Sequence, residues 1–225
     1  MLAATIALQA LACSAKAADL EEFWPELSAF YQLNPTARLY VDGSYSKGKE
    51  SDQLSLDASA YLDLSLKPIA RKELQSEDWQ RNRYFWSRIG YTRVFDVEGG
   101  GSRDVKEDRG VVALYARAPL SAVTLEARAR VDLRWIGGDY SSRYRLRLDA
   151  SREMEWLAHT VVPYINAEWL YDTRYDAWAR TLLQGGVEVT ATARFRYELY
   201  LARQNDHKPS DRTLNALGVV LKWYF

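Results

Sequence analysis

The sequence contains a single cysteine, Cys13, and two histidines. One cysteine cannot form an intramolecular disulfide, and so few thiol and imidazole groups argue against the usual Cys/His zinc sites. The residue types that most often serve as nucleophile and base in hydrolases are also scarce. The composition therefore argues against a disulfide scaffold, a zinc protein and a cysteine enzyme.

The sequence also lacks a long apolar run and an excess of charge of one sign. Its longest apolar stretch, residues 2–13, is interrupted by Thr5 and Gln9, and it is shorter than the roughly 20 residues of a membrane-spanning helix. Lysine and arginine total 30, and aspartate and glutamate also total 30, so no net field attracts nucleic acid. We expect no transmembrane helix and no nucleic-acid partner.

The first residues have the features of an export signal. Their apolar stretch is followed by small residues at Ala15 and Ala17 and then by acidic residues from Asp19 onward, which is typical of a secretory signal peptide and its cleavage site. We predict a signal peptide over residues 1–17 and one mature domain over residues 18–225. Lipidation of Cys13 and a buried N-terminal helix are the alternatives.

Two segments alternate strictly between apolar and polar residues. Residues 54–66 place Leu and Ala at every second position, and residues 123–135 do the same with Val, Leu, Ala and Trp. Every second side chain of a β-strand points to the same face, whereas helical spacing would scatter the polar residues around the axis. The pattern predicts strands with one apolar and one polar face.

Nine further segments show the same pattern, which gives eleven candidate strands. They are residues 23–33, 37–45, 83–95, 111–118, 143–150, 161–171, 178–189, 194–203 and 214–225. Several reach the roughly 9 to 11 residues that a tilted strand needs to cross a bilayer, whereas strands of soluble sheets average about 5 to 6. We predict an all-β, antiparallel, up-and-down transmembrane β-barrel.

An even strand count is expected of a barrel whose two chain ends lie on the same side of the membrane. We therefore predict twelve strands, with ten as the alternative. Short connections alternate with longer polar ones along the chain, which predicts short turns at one end of the barrel and longer loops at the other. Residues 67–82 are too long for a turn and are predicted to hold a short amphipathic helix or a flap.

The polar faces of these strands are rich in charge of both signs. On a soluble β-sandwich, the main alternative, they would form a solvated surface. In a barrel they would face one another across a narrow lumen and form ion pairs. The predicted lumen-lining residues are Glu126, Arg128, Arg130, Asp132, Arg134, Arg143, Arg145, Arg147, Asp149, Glu168, Arg194, Arg196 and Glu198.

Aromatic residues lie near many strand ends, and the chain ends in an apolar strand closed by Phe225. Aromatic girdles at two membrane interfaces account for the first observation. The last strand looks like the closing strand of outer-membrane proteins, which their insertion machinery reads. The predicted partners are therefore outer-membrane lipid and, through Phe225, the outer-membrane insertion machinery.

Four motifs accompany this closing strand: residues 23–27 (FWPEL), 88–91 (RIGY), 168–176 (EWLYDTRYD) and 200–206 (YLARQND). With the last strand they extend over nearly the whole mature chain. They resemble an uncharacterised family of Gram-negative outer-membrane barrels, domain-of-unknown-function family 2490. The resemblance implies an outer-membrane location and a barrel, and it supplies no catalytic motif.

No catalytic arrangement is predicted. His159 adjoins a predicted turn, and His207 lies on a predicted loop beside Asp206, Ser210 and Asp211, where neighbours in sequence seldom hold the geometry of a catalytic triad. We predict no enzyme activity, no cofactor and no metal. An outer-membrane lipid hydrolase is the weakest alternative.

The lumen is therefore the candidate site. Narrow barrels can be filled by rows of paired side chains, so we predict a structural or constricted barrel with at most small-solute passage. An anion-preferring, porin-like channel is the first alternative, because the arginines of residues 123–150 outnumber their acidic neighbours. If the arginines pair with carboxylates, replacing Arg130 and Arg145 is expected to open a leak. The proposed partners are Asp57, Asp63, Glu168, Glu188 and Glu198.

Overall fold

The computed structural model describes residues 21–48, 53–75, 79–98 and 107–225, so the predicted signal peptide lies outside the described residues. Nearly all of its regular structure is β-strand, which confirms the all-β fold. The strands are β1 (Glu22–Gln32), β2 (Ala37–Gly48), β3 (Gln53–Ser65), β4 (Phe85–Glu98), β5 (Glu107–Leu120), β6 (Val123–Ile136), β7 (Asp139–Ser151), β8 (Met154–Trp156), β9 (His159–Asp172), β10 (Ala177–Thr190), β11 (Phe195–Asp206) and β12 (Arg212–Tyr224). A 3-10 helix (Lys72–Gln75) and the short helix α1 (Trp79–Asn82) lie between β3 and β4.

The strands close into a barrel. Each wall strand is hydrogen-bonded to its neighbour in sequence order, except that β7 pairs with β9, and the ring is closed between β12 and β1. The closing pair is parallel and runs from Glu22↔Ala216 to Phe30↔Tyr224. All other neighbours in the wall are antiparallel. We call the β12–β1 pair the parallel seam.

The wall has eleven strands, and these correspond to the eleven alternating segments of the sequence. The sheet as a whole has twelve strands, as predicted, but the twelfth, β8, lies outside the closed ring. It continues the register of β7 along β9, beyond the pair Ser151↔Tyr164. The even-number argument does not apply to this wall, because a parallel seam closes an odd number of strands.

We name each mouth of the barrel after the terminal residue that lies at it. The Glu22 end carries the start of β1, and the Phe225 end carries the end of β12. The predicted division into short turns at one end and longer loops at the other is observed in part. The Phe225 end has two two-residue turns, 121–122 and 157–158, and the Glu22 end has one, 137–138. The longest connection, residues 66–84, lies at the Phe225 end.

Residues 66–75 pack against the outside of the wall at the Phe225 end. Leu74 of the 3-10 helix is buried, whereas Ile69 is exposed. Both line an apolar groove of about 770 Å³, together with Leu125, Leu148 and other wall residues. This segment therefore contains short helical turns, as its sequence suggests, and lies against the outside of the wall.

Burial is inverted relative to a soluble protein. On the outer face, apolar residues such as Val112 and Leu146 are 45% and 44% exposed. Inside the barrel, Asp63 and Asp132 are 0% exposed. Soluble domains bury apolar side chains and almost never bury unpaired charges, so the apolar outer face and charged interior of this barrel reverse the usual pattern.

Exposed aromatic rings form a belt on the outside near the Glu22 end. Trp135 and Tyr140 have ring centroids 5.5 Å apart, and Tyr171 contacts both Tyr144 at 6.4 Å and Trp178 at 5.7 Å. Phe195 and Trp223 pack at 4.6 Å near the Phe225 end. Trp24, in contrast, points inward and packs against Ala202, Leu214 and Ala216.

Gly218 of β12 lies beneath the ring of Tyr200, and a Cβ atom at this position would overlap that ring. We expect Gly218→Ala to lower the free energy of unfolding by about 1–3 kcal/mol through overpacking. Urea unfolding of the barrel in lipid vesicles measures the loss.

Gly43→Ala is the matched control, since the nearest atom to an added Cβ there is the Asp57 carbonyl oxygen at 3.9 Å. The double variant Gly218→Ala/Tyr200→Leu is expected to recover most of the loss, because the two sites are in contact. Equal losses for Gly43→Ala and Gly218→Ala would show that the ring does not decide the effect.

Candidate functional site in the barrel lumen

Near the Glu22 end, charged side chains form a chain of ion pairs across the interior. Arg134 lies at its centre and contacts both Glu107 and Asp172, the latter at 2.8 Å. Asp172 also contacts Arg143 at 3.0 Å, and Glu107 contacts Arg109 at 2.6 Å. The side chains of Arg134 and Asp172 are 5% and 1% exposed, so their pairing offsets a large desolvation cost.

A second network lies in the middle of the lumen on β6, β7 and β9. Glu168 contacts Arg128 and, at 2.7 Å, Arg145. Arg145 is also 3.7 Å from Asp132, which in turn contacts Arg130. Three arginines thus share two buried carboxylates, and the network keeps one positive charge in excess.

Asp63 connects two arginines on the opposite side of the lumen. Its carboxylate accepts hydrogen bonds from Arg38 at 2.6 Å and from Arg88 at 2.7 Å. The guanidinium of Arg88 also lies 4.2 Å from the ring centroid of Tyr40, in a cation–π contact. This arrangement positions Arg88 firmly inside the barrel.

A further cluster joins β10, β11 and β12. Lys222 contacts Glu188 at 2.6 Å and also contacts Glu198, and Arg196 contacts Glu188 at 3.0 Å. Tyr164 of β9 donates a hydrogen bond to Glu198. Two acids and two bases balance one another here.

Stacked rings cross the parallel seam on the inside. Phe30 of β1 lies between Tyr224 of β12, at 4.8 Å, and Tyr40 of β2, at 4.6 Å, and Tyr40 also stacks on Tyr61 of β3 at 5.3 Å. The rings fill this side of the lumen and add packing to a seam that has parallel, slightly weaker hydrogen-bond pairing.

Two cavities lie along the lumen. The chamber, toward the Glu22 end, has a volume of about 440 Å³, and the vestibule, at the Phe225 end, has a volume of about 610 Å³. Five residues line both cavities, and we call them the partition. They are Phe30, Arg88, Arg128, Arg147 and Lys222.

All four basic residues of the partition are paired with carboxylates. Arg88 is held by Asp63 and Arg128 by Glu168, as described above, and Lys222 is held by Glu188 and Glu198. Arg147 contacts Asp149 at 3.0 Å. Their positions are therefore fixed by the surrounding wall.

The chamber has walls of opposite charge. Glu26 and Asp42, on β1 and β2, form no ion pair with a described residue, and Glu26 accepts a hydrogen bond from Ser28 at 2.8 Å. The facing wall on β5, β6 and β7 carries arginines. They are Arg109, Arg128, Arg130, Arg145 and Arg147. A field therefore runs across the chamber from one wall to the other.

The vestibule is lined mainly by basic and aromatic residues. Its lining contains eight basic side chains, Arg38, Arg83, Arg88, Arg117, Arg128, Arg147, Arg196 and Lys222, and three acidic ones, Glu126, Asp149 and Glu188. Arg83, in the segment before β4, forms no ion pair with a described residue and donates a hydrogen bond to Gln32. Burial, with repulsion from Arg38 and Arg117, lowers the pKa of Arg83 to about 10.

Nine of the thirteen predicted lumen-lining residues line one of the cavities: Glu126, Arg128, Arg130, Arg145, Arg147, Asp149, Glu168, Arg196 and Glu198. Asp132, Arg134 and Arg143 belong to the interior ion pairs already described. Arg194 differs from the prediction, since it is exposed in the turn between β10 and β11. The strand begins one residue later than expected, at Phe195.

Several interior residues were missed by the sequence-based prediction of the site. Arg88, Arg117 and Lys222 lie on predicted strands, and the inward phase of those strands would have included them. Arg109 lies before the predicted strand at residues 111–118 and enters the wall only because β5 begins at Glu107. Arg83 sits in the connection before β4 and has no such signal. Its role follows only from the three-dimensional arrangement.

Other chemistry is sparse. Nδ1 of His207 lies 4.0 Å from Asp211, on an exposed connection. Among residues 21–48, 53–75, 79–98 and 107–225, no group of three or more His, Cys, Asp or Glu side chains is arranged to hold a metal ion. In the same part of the chain, no helix is long and apolar enough to cross a membrane.

Comparison with known families gives one result. A family model described as "Protein of unknown function (DUF2490)" matches residues 21–215, which include the parallel partner strand β1 and most of the wall. A search of curated proteins finds no match to the chain.

Proposed function

We propose that this chain, which belongs to the DUF2490 family of proteins of unknown function, is an outer-membrane barrel whose lumen is closed by the partition. The observation that supports a membrane location is the inverted burial. An apolar outer face with aromatic belts suits lipid, and a charged interior suits a lumen. We propose no enzymatic role, because the described residues of the lumen form paired charges and include no nucleophile beside a positioned base.

Cell fractionation tests the location. The protein is expected in the outer-membrane fraction, resistant to extraction by carbonate, and its folded form should migrate differently from the heated form on gels. Recovery in the soluble periplasmic fraction would contradict the location and leave the barrel without a lipid partner.

The partition supports a closed lumen. Its four basic side chains project from four strands, β4, β6, β7 and β12, and each is tied to a carboxylate. A buried ion pair is costly to break, since removal of one partner leaves an uncompensated charge. Thermal motion alone is therefore not expected to open a path between chamber and vestibule.

We expect the wild-type barrel to show little conductance in a planar bilayer, and the double variant Arg128→Ser/Arg147→Ser to conduct. These substitutions remove two of the partition's four charged side chains and join the cavities. Single-channel recording measures the change from closed to open.

Arg130→Ser/Arg145→Ser is the matched control, on the same two strands. These residues line the chamber and do not belong to the partition. The leak that the sequence predicted for replacement of Arg130 and Arg145 is therefore now expected for replacement of Arg128 and Arg147. A large steady current through the wild type would contradict the closed lumen.

A second candidate function is an anion-preferring channel. The basic lining of the vestibule supports it, because cations in a confined space raise the local concentration of anions. An open wild-type pore with anion preference that weakens with added salt would favour this function over a closed barrel.

A further inference from the structure

We propose that the vestibule at the Phe225 end is a binding site for a small oxyanion with two or more negative charges, of the phosphate or pyrophosphate type. The inference goes beyond the closed barrel, because binding at one mouth requires no passage through the lumen. It rests on the arginines of this cavity, on the rings that hold them and on buried donors without acceptors.

Three arginines are available to a ligand in the vestibule. The side chains of Arg117 and Arg196 are each 41% exposed, and each has a single carboxylate partner, Glu126 and Glu188 respectively. Arg83 has no carboxylate partner among the described residues. A guanidinium that is not fully occupied by carboxylates keeps N–H groups for bidentate contact with an oxyanion.

Aromatic rings hold two of these guanidiniums in place. Arg117 lies 5.2 Å from the ring centroid of Trp86, and Arg196 lies 4.9 Å from that of Tyr224. Trp86 is itself stacked on Tyr115 at 4.5 Å. Stacking on a ring face leaves the edges of a guanidinium free, so the arginines are oriented before a ligand arrives.

The lining also contains buried donors without acceptors. Nε of Arg83, Nε of Arg128, Nε of Arg196 and Nε1 of Trp86 are buried and have no hydrogen-bond partner among the described residues. All four atoms are N–H donors, and unpaired buried donors are unfavourable. An oxyanion in this cavity brings acceptor oxygens to a wall that has a surplus of donors.

Charge and size restrict the class of ligand. The lining has eight basic and three acidic side chains, and Asp63, Glu168 and Glu198 outside the lining neutralise part of this excess. Arg83 keeps no carboxylate partner among the described residues and is repelled by Arg38 and Arg117, a repulsion that a multivalent anion relieves. A volume of about 610 Å³ is in the range of small-molecule sites, roughly 300–1,000 Å³, and it admits pyrophosphate with its water.

The experiment is calorimetric titration of the full-length barrel in detergent micelles with sodium pyrophosphate. We expect saturable binding of one pyrophosphate per barrel that weakens as salt is added. Arg83→Gln and Arg117→Gln are each expected to weaken binding about tenfold, and the triple variant with Arg196→Gln is expected to abolish it. Arg83→Lys, which keeps the charge and loses the bidentate edge, should give an intermediate affinity.

Arg180→Gln is the matched control, because Arg180 is comparably exposed, at 36%, and pairs with Asp206 at the Glu22 end. It is expected to leave pyrophosphate affinity unchanged. Absence of binding to the wild type, or equal affinity of the wild type and the triple variant, would overturn the proposal. So would an equal loss in Arg180→Gln.

Two further readouts separate the possible failures. Gel mobility of unheated samples shows whether each variant is folded, so that a folded triple variant with wild-type affinity counts against the site. A short-chain phosphatidic acid in the same micelles is expected to bind no more tightly in the wild type than in the triple variant. Arginine-dependent binding of that lipid and not of pyrophosphate would reassign the site to a lipid headgroup.

Discussion

Leu146→Arg is expected to reduce strongly the yield of folded barrel in lipid vesicles. Leu146 lies near the middle of β7 on the outer face and is 44% exposed. An arginine at the midplane of the lipid costs about 2–4 kcal/mol, which corresponds to a loss of roughly 30- to 1,000-fold in the folding equilibrium. Folding yield into vesicles, measured by gel mobility, checks the result. Leu62→Arg is expected to behave in the same way.

Ser59→Arg is the control for this prediction. Ser59 lies inside the barrel and lines the chamber together with Asp42 and Asp57, so a new arginine there meets carboxylates and not lipid. If Ser59→Arg reduces folding as much as Leu146→Arg, the outer face does not contact lipid and the membrane location is wrong.

Glu168→Ala is expected to lower the free energy of unfolding by about 3–5 kcal/mol, because it leaves buried cations without a partner. The side chain of Glu168 is 3% exposed and contacts both Arg128 and Arg145. Without it, the central network keeps three arginines and one acid. Urea unfolding in vesicles measures the loss.

Glu126→Ala provides the comparison. Glu126 pairs with Arg117, and the two side chains are 20% and 41% exposed, so its removal is expected to cost less than about 1 kcal/mol. Glu168→Gln, which keeps a hydrogen-bonding group and loses the charge, should lie between the two alanine variants. Losses of similar size at both sites would mean that water reaches Glu168 freely.

Much of the wall could be predicted from the sequence, because alternation is a local property. Residues 123–135 place their polar and apolar sets on opposite faces, and β6 shows the same division. Strand ends were harder to locate. The segment predicted at residues 111–118 extends to Glu107–Leu120 in the structure, because hydrogen bonding to β4 and β6 continues beyond the alternating residues at both ends.

The interior contacts could not be predicted in the same way. Arg128 and Glu168 are 40 positions apart in the chain. They meet because β7 pairs with both β6 and β9, and the inward side chains of the two outer strands reach each other across β7. The partition and the vestibule depend on which side chains reach across the lumen, and alternation says nothing about reach. The closure was misjudged for a related reason, since no local pattern distinguishes a parallel from an antiparallel neighbour.

The parallel seam also decides where the two termini of the barrel emerge. Because β1 and β12 run in the same direction, the chain enters the wall by one mouth and leaves it by the other. In a membrane, a polypeptide joined ahead of Glu21 and one joined after Phe225 would reside in different compartments. The choice of terminus for a fusion partner would then determine whether that partner is in the periplasm or outside the cell.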